Sequence, residues 1–436
     1  MDYNLNEANH MLYTNLSIRN HHLYMQDIDV TEAAKEYGTP LYLMDENRIR
    51  ENARKYLEYT RKYLGENAIV CYASKACDFR YMYEIMHEEG LDADVVSPGE
   101  FHIALKGHME PSKLHYHGNN KSDYDIEYGI KNHAGYFIAD SLDELTAINN
   151  IAARYNIRQK VLLRLTPGID PHTHKKVSTG NTTSKFGISL SDAPSVIKEA
   201  LSLPDIILDG FHYHIGSQIF EITPFLDALD IIFDFMHKIN DTLGYLPSYL
   251  DIGGGFPVRY TADDPQICLE DYFKAIGNKL DELKNIHNIN PEIMIEPGRS
   301  IVADAGMTLY TVGSYKTNGL KNYISIDGGM SDNPRYTLYE SRYTFVKAND
   351  ADNDKYIKAD IAGRCCESGD LLGEDVIISE VKRGDIIAVL TTGAYNYSMQ
   401  SHYNQNQGLP VIMICDGKLK TAVKRDSLDY LLHNQL

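Results

Sequence analysis

The chain has 436 residues, too many for one ordinary hydrophobic core, so two domains are expected. Its formal charge of −19, from 42 basic and 61 acidic residues spread along the chain, argues against nucleic acid and anionic membrane as partners. The first seven residues are polar and acidic, no later apolar run approaches the ~18 residues of a membrane span, and the six cysteines show no CxxC spacing, so a soluble cytoplasmic protein with free thiols is expected.

Residues 23–44 read as a strand, a short helix opened by Thr31 and stopped at Gly38, and a second strand over 40–44. From Asp45 a helical pattern leads into the apolar run 69–73, and strand and helix then alternate. The strand-like runs are 69–73, 93–97, 114–118, 136–140, 161–165, 208–215, 249–252 and 293–296. Eight such runs, each followed by a helix-period segment, predict a parallel (β/α)8 barrel of the TIM type. Ser97-Pro98-Gly99-Glu100 and Ser141-Leu142-Asp143-Glu144 have capping-box spacing, so strands two and four each run directly into a helix. An open doubly wound sheet is the alternative, but eight consecutive units without a break in composition suit a closed barrel better.

After Ser300 the pattern changes to hairpins. Asn318-Gly319 separates 308–315 from 323–327, Asp416-Gly417 separates 411–415 from 418–423, and Lys382-Arg383-Gly384-Asp385 turns 376–381 back into 386–390. The expected organisation is therefore a barrel over 45–301, with 1–44 and 302–436 forming a mostly β domain that completes the active site.

Lys75, delivered by the end of the first run, is the first candidate for chemistry: burial there would favour the neutral amine that a nucleophile needs. A lysine after a strand is ordinarily solvated, so what matters is what the other strand ends bring. The loops after strands seven and eight of such a barrel commonly bind phosphate. Here they carry Gly253-Gly254-Gly255 and Glu296-Pro297-Gly298-Arg299, in which backbone N–H groups and a guanidinium suit an anion. Strand six ends in His212-Tyr213-His214, two histidines at i and i+2, which suit a metal or a flat ring. A metal-dependent hydrolase, with Asp251, Glu296 or His117 as further ligands, is the rival reading; it leaves the glycines and Lys75 without a task, and His212 then reads as a core histidine. A phosphorylated cofactor that condenses with a lysine is pyridoxal 5'-phosphate, with Glu296 as the carboxylate that keeps its ring nitrogen protonated.

These stretches, in order, resemble the diaminopimelate decarboxylases, a family of pyridoxal-phosphate decarboxylases with an alanine-racemase-like barrel. The resemblance runs from Thr31 to Asn404. It also takes in Gly118-Asn119-Asn120-Lys121-Ser122, His172-Thr173-His174, Ser178-Thr179-Gly180, Lys185-Phe186-Gly187, Gly329-Met330-Ser331-Asp332-Asn333-Pro334-Arg335, Cys366-Glu367-Ser368-Gly369-Asp370 and Gly393-Ala394-Tyr395. It implies decarboxylation of meso-2,6-diaminopimelate to L-lysine and CO2, the last step of lysine biosynthesis, through an aldimine on Lys75. It implies further that His214 stacks on the cofactor ring, and that Ser217, Gly254, Gly255, Gly298, Arg299 and Tyr395 hold the phosphate end. By the same resemblance Arg299, Arg335 and Tyr339 take the substrate carboxylate far from the reacting carbon, Tyr395 also binds substrate, Glu367 takes the far ammonium, and Cys366 a proton step at Cα, arriving from the partner of a homodimer. No metal is implied. Arg335-Tyr336 stands where the family often has Arg-Pro, and Gln405–Pro410 replaces a basic, proline-rich run. Decarboxylases of carboxynorspermidine, ornithine, arginine or a D-amino acid, and a non-catalytic pyridoxal-phosphate carrier, are the alternatives.

Overall fold

The computed structural model describes residues 13–169 and 185–436, so residues 172–180 of the resemblance lie outside the described residues. Contacts divide the chain into two compact units: Ala53–Pro257 with Ile267–Gly298, and Met1–Asn52 with Val258–Gln266 and Arg299–Leu436.

In the first unit eight strands run parallel in chain order: Ile69–Ala73, Asp92–Val95, Leu114–Tyr116, Tyr136–Ala139, Gln159–Thr166, Ile206–His212, Tyr249–Asp251 and Glu292–Ile295. The last closes on the first through Met294 with Ile69 and Ile295 with Val70. The fold is thus a closed barrel, and the open-sheet alternative is overturned. Each strand lies where the apolar runs predict it, because parallel barrel strands are buried on both faces and read as short continuous apolar segments. Ile69, Tyr136, Ile138, Leu162, Tyr249 and Met294, from five different strands, pack into one apolar cluster. Side chains of such separate strands can meet only inside the barrel, which is therefore a packed core and not a pore.

The helix starts follow local chemistry. Ser97 and Ser141 cap their helices by accepting from the N–H groups of Glu100 and Glu144. Ser122 forms a full reciprocal capping box with Asp125, which the Glu/Gln rule passes over because the third helical residue is aspartate. In the other unit the helix Val30–Tyr37 is capped by Asp29, which accepts from the Thr31 N–H, so Thr31 is inside the helix and does not open it.

That second unit is mostly β. The strand Leu41–Asp45 lies between Gly306–Asn318, antiparallel, and Val411–Cys415, parallel, so the leading segment is a central member of the sheet. Leu16, Leu23, Val30 and Ala33 pack with Leu41, Leu43, Leu309, Leu390 and Ile412 in one core. Asp416 and Gly417, both at positive φ, make the expected two-residue turn between Cys415 and Lys418. The other hairpin is shifted by one residue: Asn318 pairs with Lys321, and the turn is Gly319-Leu320 with glycine first at φ 63°. The hairpin expected around residues 382–385 does not form. Leu371–Ser379 pairs with Tyr356–Ala362, whereas Ile386–Leu390 pairs with Gly306–Asn318 and Phe345–Lys347. The strand Tyr356–Ala362 escaped the sequence pattern because Asp360 is buried within it, its carboxylate 2.8 Å from Lys321 Nζ.

Candidate active site

The C-terminal ends of the barrel strands form a ring of ionisable side chains. Lys75 follows strand one, Asp94 comes from strand two, His117 and Asp140 follow strands three and four, and Arg164, His212 and Asp251 come from strands five, six and seven, with Glu296 just after strand eight. Apart from Lys75 every one of them is buried. Sequence reasoning found Lys75, His117, His212, Asp251 and Glu296; it missed Asp94, Asp140 and Arg164, whose only signal was a charge at the end of an apolar run.

Lys75 sits in the one-turn helix Ser74–Ala76, between two buried neighbours, and is itself exposed. The expectation of a buried lysine is therefore corrected: Lys75 is exposed, although close enough to the buried strand-end groups to act on His214. Asp94 fixes that turn, taking the Ser74 N–H at 2.8 Å, while the Ser74 hydroxyl donates to the Asp94 carbonyl at 2.6 Å.

Glu296 is buried beside two imidazoles, His117 Nε2 at 3.0 Å and His212 Nε2 at 3.3 Å. Burial pushes its carboxyl upward, but the attraction of His117 and His212 outweighs burial and holds it well below the usual carboxylate range. Both imidazoles are lowered by burial, against the opposing pull of Glu296. Neutral rings donating Nε2–H are consistent with all three directions. Nearby Asp251 is raised well above the usual range, first by burial and then by the charge of Glu296. One of the two carboxyls thus carries the negative charge, and it is Glu296. His212 accordingly supports Glu296 and is not mere core packing, contrary to the sequence reading.

His214 lies past the end of strand six and is half-buried. Its Nδ1 accepts from the Gly254 N–H at 3.2 Å, and burial, followed by the nearby Lys75, lowers its pKa well below the ordinary value. It is therefore a neutral ring with its proton on Nε2. The glycines next to it are required by close approach. A Cβ on Gly254 would come within 2.1 Å of the Glu296 carbonyl oxygen, and one on Gly255, at φ +106°, within 2.7 Å of the Gly216 carbonyl oxygen. Any side chain would push this loop off the loops after strands six and eight.

In the β unit Arg299 and Arg335 are both buried and share one aromatic neighbour, Tyr260. Arg299 Nη1 donates to the Tyr260 hydroxyl at 2.7 Å and its guanidinium lies 4.6 Å from the centre of the Tyr395 ring. Arg335 donates to the Tyr343 hydroxyl at 2.8 Å and to Ser341 Oγ at 3.2 Å. Tyr339 ends the short helix Arg335–Tyr339 and is half-buried. Cys366 and Glu367 lie in an exposed loop, their side chains making no hydrogen bond or ion pair among the described residues. Asp370 pins that loop by accepting from the N–H groups of Cys365 and Met330, both at 2.6 Å. Cys365 is buried and its thiol is pushed up by burial. The two departures from the family pattern are ordinary structure: Tyr336 donates to Glu374 at 2.9 Å, and the Gly408 N–H donates to Asp426 at 2.9 Å.

His117, His212 and Glu296 also converge closely enough to ligate a metal. Two features fit pyridoxal phosphate instead. Glu296 is a buried, anionic carboxylate, which suits a pyridinium N–H, and the glycine loop is bare backbone, which suits a phosphate. Barrel, lysine, carboxylate and glycine loop together define the class, a pyridoxal-phosphate-dependent decarboxylase, and residues 48–303 match the family described as the pyridoxal binding domain of pyridoxal-dependent decarboxylases. The chain belongs to the diaminopimelate decarboxylase family. It is 42% identical to the diaminopimelate decarboxylase of Bacillus methanolicus, over 93% of this chain and 94% of that one. To the Bacillus subtilis enzyme it is 39% identical, over 94% of each chain. The crystal structure of the M. jannaschii enzyme in complex with L-lysine superimposes with a TM-score of 0.91 at 30% identity, covering 97% of this chain and 98% of that one. The metal-hydrolase reading is thereby set aside.

Proposed function

We propose that Lys75 holds pyridoxal phosphate covalently while the other candidate residues orient meso-2,6-diaminopimelate for loss of the carboxyl group at its D centre, giving L-lysine and CO2. The observation that carries the substrate assignment is Arg335. It is a buried guanidinium whose polar partners among the described residues are the hydroxyl groups of Tyr343, Ser341 and Tyr260, so its charge calls for an anion, and a second carboxylate on the substrate supplies one. A diamine precursor with one amino-acid end has no such group.

Bound pyridoxal phosphate supplies an electron sink for the electron pair left behind when CO2 departs. Glu296, anionic and buried, holds a proton at the ring nitrogen, and His117 and His212 keep it in that state. His214 offers a neutral flat face to the cofactor ring. Ser217, the backbone of Gly254, Gly255 and Gly298, Arg299 and Tyr395 take the phosphate end. Arg299, Arg335 and Tyr339 take the far carboxylate, Tyr395 also contacts substrate, Glu367 takes the far ammonium, and Cys366 delivers or relays a proton to Cα. Cys366 and Glu367 act on the site of a partner copy in a homodimer, a reading supported by their exposure. Six free cysteines support a cytoplasmic location; no described helix is long and apolar enough to cross a membrane.

The test is a visible absorption spectrum, borohydride trapping with peptide mapping, and CO2 release from meso-diaminopimelate, ornithine, arginine, D-lysine and carboxynorspermidine. Trapping on the Lys75 peptide and release from meso-diaminopimelate alone are expected. Comparable release from ornithine would overturn the substrate assignment.

A further inference from the structure

Tyr260 belongs to the short segment Val258–Gln266, which the β unit contributes between strand seven and the helix Leu269–His287. Its backbone is held independently of its phenol. The Tyr260 and Thr261 N–H groups donate to Asp264 Oδ2 at 2.7 and 2.9 Å, and Thr344 Oγ1 donates to the Tyr260 carbonyl at 2.9 Å. The buried phenol therefore projects from a fixed point.

What it meets is two cations. Arg299 donates to its hydroxyl at 2.7 Å, and the Arg335 guanidinium lies 4.8 Å from the ring centre. Tyr343 packs edge-on against the same ring at 5.4 Å and accepts from Arg335, so Arg335 is bounded by two aromatic rings. Two buried guanidiniums repel each other, and each carries long-chain rotamer freedom that must be lost before both can face one ligand. A phenol between them answers both costs, since its oxygen accepts from one cation while its π face attracts the other. Arg335 donates to the Tyr343 and Ser341 hydroxyls and also engages that of Tyr260, which still leaves N–H donors for a planar carboxylate.

We propose that Tyr260 is the positioning residue of a two-arginine carboxylate receptor: its hydroxyl orients Arg299 and its ring face orients Arg335 so that the pair grips the substrate carboxylate distant from the reacting carbon. This rests on the substrate reading above and adds to it a residue that acts through the arginines. The direction of its acidity agrees with that role. Burial would raise the phenol, yet the charges of Arg299 and Arg335 draw it below its ordinary 10.0.

L-lysine and cadaverine differ by a single carboxylate, and calorimetric titration of the holoenzyme with each isolates the receptor. Wild type should bind L-lysine the more tightly. Tyr260→Phe, which keeps the ring and the backbone anchors, should weaken L-lysine about tenfold or more and leave cadaverine within about twofold. KM for meso-diaminopimelate should rise by about the same factor, with kcat changed less than about threefold. Thr344→Val loosens the backbone anchor but spares the phenol; it should lower the melting temperature without separating the two ligands. The inference is overturned if Tyr260→Phe weakens both ligands alike or neither, or if Thr344→Val reproduces the split. A wild-type enzyme that releases no CO2 from meso-diaminopimelate refutes the substrate reading itself, and the inference falls with it.

Discussion

Nε2 of His117 lies 3.0 Å from Oε1 of Glu296, and both side chains are buried where the barrel strands end. A buried carboxylate flanked by two imidazoles stays ionised where burial alone would have neutralised it. This gives the barrel a fixed negative charge at its strand ends, the charge that the proposed function assigns to a cofactor ring nitrogen.

Replacing Glu296 by glutamine keeps the shape and removes that charge. Turnover should fall by orders of magnitude with modest loss of bound cofactor, because the charge matters most as electrons flow into the ring. Steady-state kinetics alongside the cofactor absorbance checks this, and unchanged kcat would mean that another group protonates the nitrogen.

Lys75→Ala should abolish both turnover and the borohydride-fixed adduct. Asp94 and Ser74 still hold the turn in that variant, so the loss would be of the amine alone. Fixation of cofactor on a different lysine, seen by peptide mapping, would remove Lys75 from its role.

His214 should make stability depend on pH. Its folded pKa is lowered, chiefly by burial and then by Lys75, so below the unfolded value of about 6.5 the unfolded chain binds a proton that the folded chain refuses. Stability is then lost as pH falls through that value, by up to about 1.4 kcal/mol per pH unit for one proton. His214→Phe should flatten the decline in urea midpoint between pH 7.5 and 5.5 relative to wild type. Parallel curves for the two proteins would contradict the assignment.

Cys366 is exposed and Cys365 buried, which separates their expected effects. If Cys366 of one subunit serves the Lys75 of the other, then Lys75→Ala and Cys366→Ala chains, each nearly inactive, should rescue one another when mixed. Random pairing puts about half the chains in heterodimers, each with one intact site, so about a quarter of wild-type activity should return. A mixture that stays inactive after confirmed subunit exchange would place both residues in one chain's site. Cys365→Ala is the control and should leave activity nearly intact.

The sequence by itself determined the barrel and the strand ends. Short, continuous apolar runs separated by helical periods are what strands buried on both faces must look like, and Lys75, His214, the glycine loop and Glu296 follow those runs directly. It also marked Asp416-Gly417 as a turn, because positive φ at two successive residues demands that chemistry. Only the tertiary structure decided the pairings of the β unit, where Leu371–Ser379 and Ile386–Leu390 part company although a turn joins them. Strand pairing there depends on partners dozens of residues away, and a period-2 pattern carries no record of which partner is chosen. The same holds for charge: that Lys75 is exposed, that His212 serves Glu296, that Asp251 yields its charge to Glu296, and that Tyr260 stands between two arginines are facts of distance and burial. Local sequence fixes neither quantity, since both are set by which strand ends and loops the closed fold brings together.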